Sequence, residues 1–108
     1  MKISIITVVK NDKHNIEKTI QSCISQRHIN IEYIVINGLS TDGTNEIIDK
    51  YSDKIHKYIN DYDIGIYDAM NKGLDLATGD WIIFMNSGDI FFQDITLYNI
   101  FLNNLDNF

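Results

Sequence analysis

Cysteine is almost absent from this sequence of 108 residues, and its scarcity excludes one means of stabilisation. Cys23 is the only cysteine, so an internal disulfide cannot form. This residue falls on the apolar side of a helical pattern, which is typical of a small buried side chain. Stability must therefore come from an apolar core, and 44% of the residues are hydrophobic.

Basic residues are also few. Nine lysines and arginines stand against fifteen aspartates and glutamates, which gives a net charge of -6. A protein that binds duplex nucleic acid needs a basic surface for its phosphate contacts, so this charge excludes nucleic acid as the partner. No basic cluster favours an anionic lipid surface either, although a weak peripheral membrane contact stays open as an alternative.

Long hydrophobic runs are missing as well. The apolar segment that begins at Ile3 and ends at Val9 is interrupted by Ser4 and Thr7, and it is too short for a signal peptide or a membrane span. We therefore expect a cytoplasmic protein, with the inner face of the plasma membrane as the alternative location. The sequence also lacks repeats, low-complexity tracts and linkers, which indicates a single domain or a piece of one.

Short apolar segments alternate with helical patterns along the chain, and the joints between them are short. This alternation predicts an α/β fold in which a mostly parallel, Rossmann-like sheet is flanked by helices. The last apolar segment is apolar on both faces, so we expect it at the centre of the sheet. The predicted strands are Lys2–Val9, Ile31–Ile36, Lys54–Ile59 and Trp81–Met85.

Apolar residues at helical spacing predict four helices between and after these strands. The first is expected to be capped by Asn11 or Asp12 and carries Ile16, Ile20, Cys23 and Ile24. The second carries Ile47, Ile48 and Tyr51, the third runs from Ile66 to Ala77, and the last from Ile95 to Leu105.

Small, acidic or amide residues directly follow each predicted strand. In an open parallel sheet, these clusters emerge along the carboxyl edge, where such folds bind ligands. An acidic rim that contains glycine suits a nucleotide whose phosphates are held through a metal ion. The sequence therefore predicts a nucleotide-dependent enzyme domain, with clusters at residues 7–12, 37–44, 60–65 and 86–89.

Several residues of these clusters have two interpretations. Asp42 can contact the nucleotide, but capping of the next helix is favoured because Ser, Thr and Asp suit that position. Asn37 is expected to face the crevice and contact the base or ribose, and Thr7 is a weaker case. Asp63 and Asp68 belong either to a solvated loop or to a donor-binding segment. Lys72 pairs either with a phosphate or with Asp68 one helical turn away.

Five motifs, taken in order, resemble a known family. They are residues 4–11 (SIITVVKN), 34–44 (IVINGLSTDGT), 65–73 (GIYDAMNKG), 77–81 (ATGDW) and 86–89 (NSGD). Together they are similar to the nucleotide-sugar-binding half of glycosyltransferase family 2, whose members have the GT-A fold. The IYDAMNKG variant is similar to the branch found in bacterial surface-polysaccharide gene clusters.

This resemblance implies an inverting transfer of a sugar from a nucleotide-diphosphate sugar, such as a UDP- or GDP-sugar, to an acceptor hydroxyl. The acceptor would be a saccharide or a lipid-linked saccharide. The resemblance also implies a bound Mg²⁺ or Mn²⁺, with Asp89 as the metal ligand. The sequence departs from the family pattern at Asn86 and Gly88, where many members carry acids, and at Asn37, where an acid commonly ends the second strand.

The expected site follows from these motifs. The residues expected to contact the donor nucleotide are Thr7, Asn37, Asp42, Asp63, Asp68, Asn71 and Asn86. No catalytic base is assigned, since the family takes it from sequence that follows this region. Residues 1–108 are accordingly expected to form the donor-binding part of a truncated GT-A domain without its acceptor-binding part.

Three other functions compete with this hypothesis. The chain is alternatively a nucleotide-binding fragment that cannot turn over, or a module that self-associates through Phe91, Phe92 and Phe101. The segment 40–44 (STDGT) is also similar to the DxDGT motif of haloacid-dehalogenase-type phosphatases. Ser40 stands there in place of the nucleophilic aspartate, with no evident base to activate it, so a phosphatase is disfavoured.

Overall fold

The computed structural model describes residues 1–104, which form four strands that alternate with four helices. This alternation confirms the predicted α/β class. Leu105, predicted as the end of the last helix, lies outside the described residues. The elements are β1 (Lys2–Val9), α1 (Ile16–Ile24), β2 (Asn30–Asn37), α2 (Thr44–Asp49), β3 (Lys57–Asn60), α3 (Ile66–Leu76), β4 (Trp81–Phe84) and α4 (Thr96–Asn104).

The four strands form one parallel sheet in the order β3-β2-β1-β4. β1 pairs with β2 along its whole length, from Lys2 opposite Asn30 to Val9 opposite Asn37. On its other side, β1 pairs with β4. Parallel neighbours need long crossover connections, and the helices supply them. The carboxyl ends of the four strands consequently lie along one edge.

The predicted central position of β4 is wrong. Among the described residues, β1 and β2 are the inner strands, and β4 forms one border of the sheet. Trp81 and Ile82 are each 41% exposed. An apolar strand at the border of a sheet can still be buried by an element that packs against it. Here α4 contributes part of that packing, since the ring of Phe101 lies 5.7 Å from the ring of Trp81 in an edge-to-face contact.

Each face of the sheet carries its own apolar core. Successive residues of β1 point to opposite faces, so Ile5 belongs to one core and Ile6 to the other. The larger core includes Ile16 of α1, Ile48 of α2 and Leu97 of α4. The smaller core lies under α3. Cys23 is fully buried in the larger core, which confirms its predicted place.

The α3 helix lies unusually close to β1. A Cβ atom on Gly73 would fall 2.5 Å from Cγ2 of Ile6, closer than real Cβ atoms approach a neighbour. Glycine is therefore required at this point for the helix to reach the sheet. The contact fixes α3 against the strand whose carboxyl end forms part of the candidate site described below.

The predicted cap of α1 and the predicted start of β3 differ from the structure, while the other predicted ends of elements that the structure describes differ by at most one residue. The expected side-chain cap of α1 by Asn11 or Asp12 is wrong, because the helix begins later and Asn15 holds its N-cap position. Asp12 contributes its backbone carbonyl instead, which accepts the N–H of Ile16 at 3.0 Å. β3 begins at Lys57 rather than Lys54, because the Tyr51 carbonyl accepts the N–H of Lys54 at 2.8 Å and continues the turn.

Candidate functional site

A cleft of 670 Å³ opens at the carboxyl edge of the sheet. Three of the four polar clusters contribute to it. Its walls are the end of β1 with the segment that follows (residues 8–12), the segment 62–66 with Ala69 of α3, and Asn86 and Ser87 after β4. These parts are far apart in the sequence, and the parallel sheet brings them to one edge.

The eight residues expected to form the site fall into two groups. Asp63 and Asn86 line the cleft. The other six lie outside its lining, among the described residues: Thr7, Asn37, Asp42, Asp68, Asn71 and Asp89.

Asn86 carries an unusual side-chain oxygen. Its Oδ1 is buried and has no hydrogen-bond partner among the described residues. The backbone of Asn86 is fully engaged, since its N–H donates to Asp89 Oδ2 at 3.1 Å and its carbonyl accepts the N–H of Asp89 at 2.8 Å. A buried acceptor without a donor costs free energy. Asn86 is also a residue of the cleft wall, so this acceptor lies beside the space that a ligand would occupy.

The hydrogen bond between Asn86 and Asp89 closes a four-residue turn. Gly88 permits this turn, because glycine readily adopts its φ of +102°. Asp89 is the last residue of the turn. Its carboxylate is exposed, and one oxygen accepts the Asn86 N–H. Within residues 1–104, no cluster of three or more acidic, histidine or cysteine side chains is arranged to hold a metal ion. Mg²⁺ in phosphate sites takes one or two carboxylates and completes its shell with phosphate oxygens and water. The single exposed carboxylate of Asp89 fits an ion that is shared with a bound diphosphate in this way.

Asn37 is placed differently from the expectation. It is fully buried, so the predicted exposure to the crevice is wrong. Its Oδ1 accepts the Ser40 hydroxyl at 2.6 Å, and its Nδ2 donates to Asn45 Oδ1 and to the Tyr58 hydroxyl. These bonds hold the loop after β2 in shape.

Asp42 and Thr7 are also bonded within the protein. Oδ1 of Asp42 accepts the N–H of Thr44 at 3.0 Å, but Gly43 holds the N-cap position of α2 and no described side chain caps this helix, so the capping interpretation is wrong in its strict form. A hydrogen bond from the Thr44 hydroxyl is the main cause that lowers the pKa of Asp42. Thr7 is fully buried, and its hydroxyl lies 2.8 Å from that of Tyr33, inside the core.

Asp63 lies where β2 and the segment before α3 meet. Its Oδ1 accepts the Gly65 N–H at 3.2 Å. A Cβ on Gly38 would lie 2.5 Å from Asp63 Oδ2, so the backbone of Gly38 makes room for this carboxylate. The close approach places an acidic group on the cleft wall at the end of β2.

The Asp68 and Lys72 side chains contact each other. Lys72 Nζ lies 3.7 Å from Asp68 Oδ2, at the i, i+4 spacing that the ion-pair alternative predicts. Lys72 also donates to the Tyr62 carbonyl, and Asp68 Oδ2 accepts the Ile64 N–H at 3.0 Å.

The polar residues of the cleft lining that follow β1 belong to the cluster predicted at residues 7–12, but none of them was among the residues expected to contact the donor. Asp12 Oδ2 accepts the Ser87 hydroxyl at 2.7 Å and so joins the segment after β1 to the turn after β4. Asn11, with a φ of +51°, accepts the Thr41 N–H on its Oδ1 at 2.7 Å. Lys10 also belongs to this wall. Their position directly after the first strand was the available signal.

A family comparison connects this architecture to known enzymes. The family described as "Glycosyl transferase family 2" matches residues 4–102, which is nearly the whole chain. The chain belongs to glycosyltransferase family 2.

Two bacterial relatives of this family 2 chain are named glycosyltransferases. The first is glycosyltransferase GlyA of Streptococcus pneumoniae, 37% identical over 101 residues that cover 90% of this chain and 14% of GlyA. The second is WfaP of Escherichia coli, named as a UDP-Glc:alpha-D-GlcNAc-diphosphoundecaprenol beta-1,3-glucosyltransferase. It is 40% identical over 88 residues, which cover 81% of this chain and 35% of WfaP. The chain thus spans well under half the length of these relatives.

Solved structures share the fold of this family 2 chain. Staphylococcus aureus TarS in complex with UDP-GlcNAc superposes with a TM-score of 0.84 at 25% identity, over 98% of this chain and 32% of the TarS chain. The mannosyltransferase PcManGT of Pyrobaculum calidifontis, in complex with GDP-Man and Mn²⁺, gives 0.80 at 21% identity over 90% of this chain and 30% of that chain. The expected GT-A fold is therefore confirmed. No helix in residues 1–104 has the length and apolarity to cross a bilayer.

Proposed function

We propose that this chain is the donor-binding part of a glycosyltransferase that moves a sugar from a nucleotide-diphosphate sugar to an acceptor hydroxyl. The observation that carries the proposal is the cleft at the carboxyl edge of the parallel sheet, which is lined by Asn86, a residue whose side-chain oxygen has no partner among the described residues. Membership of glycosyltransferase family 2 supports it. The names of the relatives favour synthesis of bacterial surface polysaccharide as the setting.

Asp63 and Asn86 are the residues that we assign to direct donor contact. A carboxylate such as Asp63 accepts hydrogen bonds from sugar or ribose hydroxyls. The Asn86 oxygen, which has no hydrogen-bond partner among the described residues, would accept a hydrogen bond from the donor, and binding would then remove the cost of a buried unsatisfied group. Asn37 and Asp42 would affect donor binding only through the loop that follows β2, because the side chains of both form hydrogen bonds within that loop.

Asp89 is the residue that would hold a divalent cation, Mg²⁺ or Mn²⁺. Its exposed carboxylate supplies the hard oxygen ligand that such ions prefer. When bound together with the donor, the ion would neutralise charge on the departing diphosphate. The contribution of the chain itself is to hold the carboxylate in place, which the Asn86 N–H does at 3.1 Å.

The acceptor and the location are extensions of the same proposal. The name of WfaP specifies a diphosphoundecaprenol-linked sugar as the acceptor of that enzyme, and a lipid-linked saccharide would place this protein at the inner face of the plasma membrane. The inverting outcome follows from the family resemblance. No residue of this chain is assigned as the base that deprotonates the acceptor.

A thermal-shift titration tests donor binding. The chain is melted with UDP, GDP, CDP or dTDP, each with and without Mn²⁺. A ligand at about 100 times its dissociation constant adds about 2.7 kcal/mol of stability, and we expect one nucleotide to give such a metal-dependent shift. Asp89→Ala should abolish the metal dependence, and Asn86→Ala should weaken binding. Asp53→Ala, at an exposed aspartate away from the cleft, is the matched control.

A second measurement separates an enzyme from an incomplete fragment. The purified chain is given the donor sugar of the nucleotide that binds, and hydrolysis and transfer are followed together. Binding without turnover would support the fragment. Turnover by the chain alone would exclude it, whereas the absence of any nucleotide shift would overturn the proposed function.

A further inference from the structure

Burial of apolar side chains contributes little to holding the outer wall of the cleft in place. It is the segment 61–65, which joins β3 to α3. Tyr62 is 65% exposed and Ile64 is 80% exposed, so the largest side chains of the wall point mainly to solvent. Side chains that stay in water contribute little to holding a loop. The shape of this wall must come from polar contacts.

Besides the backbone hydrogen bonds at the two ends of the segment, two of those contacts come from side chains on one face of α3. Asp68 Oδ2 accepts the N–H of Ile64 at 3.0 Å, and Lys72 donates to the carbonyl of Tyr62. The two side chains also lie 3.7 Å apart as an ion pair one helical turn apart. Their side chains are 35% and 26% exposed, so water competes only in part. Together they bind the backbone of the wall at two points.

Asp63 lies between these two points. Its position is limited on the other side by Gly38, where only a hydrogen in place of a side chain leaves room for the carboxylate. A displacement of the wall would therefore move the one acidic side chain that it presents to the cleft. Neither Asp68 nor Lys72 belongs to the cleft lining among the described residues. Any effect that they have on a ligand must pass through the wall.

We propose that Asp68 and Lys72 are positioning residues that clamp the 61–65 wall and so set the place of Asp63 for the nucleotide-sugar donor. This inference rests on the proposed function for the identity of the ligand. It assigns Lys72 to the protein backbone instead of to a phosphate. The charge pair on α3 gives the clamp its strength, because hydrogen bonds to charged groups are stronger than neutral ones.

The test compares Lys72→Met with Lys18→Met in the full chain. Methionine keeps much of the length of the side chain and removes the charge, and Lys18 is an exposed lysine on α1, far from the wall in sequence. Binding is measured by calorimetry with the nucleoside diphosphate that stabilises the wild type, in the presence of Mn²⁺. Loss of the clamp should weaken binding about tenfold. The melting temperature of the free protein should stay unchanged, and Lys18→Met should bind like the wild type.

Hydrogen exchange provides a readout that needs no ligand. In Lys72→Met and in Asp68→Ala, the amides of residues 62–65 should exchange faster, while those of β1 keep their protection. Asp68→Asn keeps an oxygen that can accept the Ile64 N–H, so it should restore part of the protection at that amide.

The outcomes separate this inference from the proposed function. Weaker binding with unchanged exchange would make Lys72 a direct ligand contact and would overturn the clamp. Wild-type affinity together with unchanged exchange in Lys72→Met would overturn it as well. If no nucleotide binds the wild type, the proposed function fails, and faster exchange at the wall would still support the clamp.

Discussion

Glu32 of β2 is the most heavily bonded carboxylate among the described residues. It is only 7% exposed. It accepts the Ser4 hydroxyl at 2.8 Å, the Thr78 N–H at 2.9 Å and the Thr78 hydroxyl at 2.8 Å, and Lys57 Nζ lies 3.1 Å away. Burial alone would raise the pKa of Glu32, but these bonds to the charged form outweigh it and hold the pKa at about 2. A single side chain thus connects β1, β2, β3 and the turn before β4.

Because of Glu32, we expect part of the free energy of unfolding to depend on pH in the acid range. The folded-state pKa lies below the ordinary value of 4.5, so the stabilisation is complete above about pH 4.5 and is lost as the pH falls toward 2. We expect Glu32→Gln to be less stable than the wild type at pH 7 and to lose part of the slope of stability between pH 4.5 and 2. Denaturation by urea at several pH values measures both effects.

The control for this prediction is Glu46→Gln, at an exposed position on α2. It should leave the pH profile unchanged. An identical acid slope in Glu32→Gln and the wild type would contradict the assignment of the slope to Glu32.

Residue identities at strand ends were predictable, but side-chain directions were not. Asn37 is the last residue of β2 and Asn86 lies just after β4, and the same reasoning placed both at the crevice. Asn86 lines the cleft, whereas Asn37 is turned into a buried network with Ser40, Asn45 and Tyr58. All three partners lie beyond β2 in the sequence, which does not show that their polar groups converge on one amide. The physical cause is the pairing of β2 with β3, which brings Tyr58 alongside.

At the scale of elements, the close contact of α3 with β1 decides how the cleft wall is supported. Gly73→Ala should destabilise the protein by about 1–3 kcal/mol, because the new methyl group would overlap Ile6 Cγ2. Removing that atom with Ile6→Ala makes room for the methyl group. The double variant should therefore be more stable than the sum of the two single effects predicts.

Chemical denaturation of the two single variants and the double variant measures this coupling. Ala69→Gly, at another small residue on the buried face of α3, provides a comparison that creates no overlap. Strict additivity of Ile6→Ala and Gly73→Ala would show that the two residues do not limit the approach of the helix.

Periodicity predicted the order and type of all the elements that the structure describes, because apolar residues must face a core at the repeat of their own secondary structure. Position within the sheet was not predictable in the same way. β4 has the apolar composition of an inner strand but pairs with β1 alone among the described strands. The hydropathy of a strand indicates how deeply its faces are buried, whereas the strand order depends on which strands pair through hydrogen bonds along their edges. The late start of β3 has a local cause, since the turn closed by the Tyr51 carbonyl extends to the apolar residue Ile55.

At the scale of the whole molecule, apolar surface and net charge act against each other. Phe92 is 90% exposed, and Ile90 beside it is 56% exposed. A net charge of -6 repels like molecules at low salt. We expect the chain to associate with itself at high concentration, more strongly as salt screens the charge.

Light scattering over a range of concentrations measures this association. Phe92→Ser should lower the apparent mass at high salt, whereas Gln93→Ser beside it should not. A monomer mass at every concentration and ionic strength would contradict self-association and would leave donor binding as the remaining role of the chain.

The inner place of β1 in the sheet has a consequence for biosynthesis. β1 is made first, and its partner on one side, β4, ends at Phe84. At about 5–20 residues per second, the roughly 75 residues between the two strands take about 4–15 seconds to leave the ribosome. For that time one edge of a strand that is almost wholly buried in the folded protein has no neighbour, and unpaired strand edges recruit other chains. The pace of translation and the holdase chaperones near the exit tunnel should therefore govern the yield of folded protein.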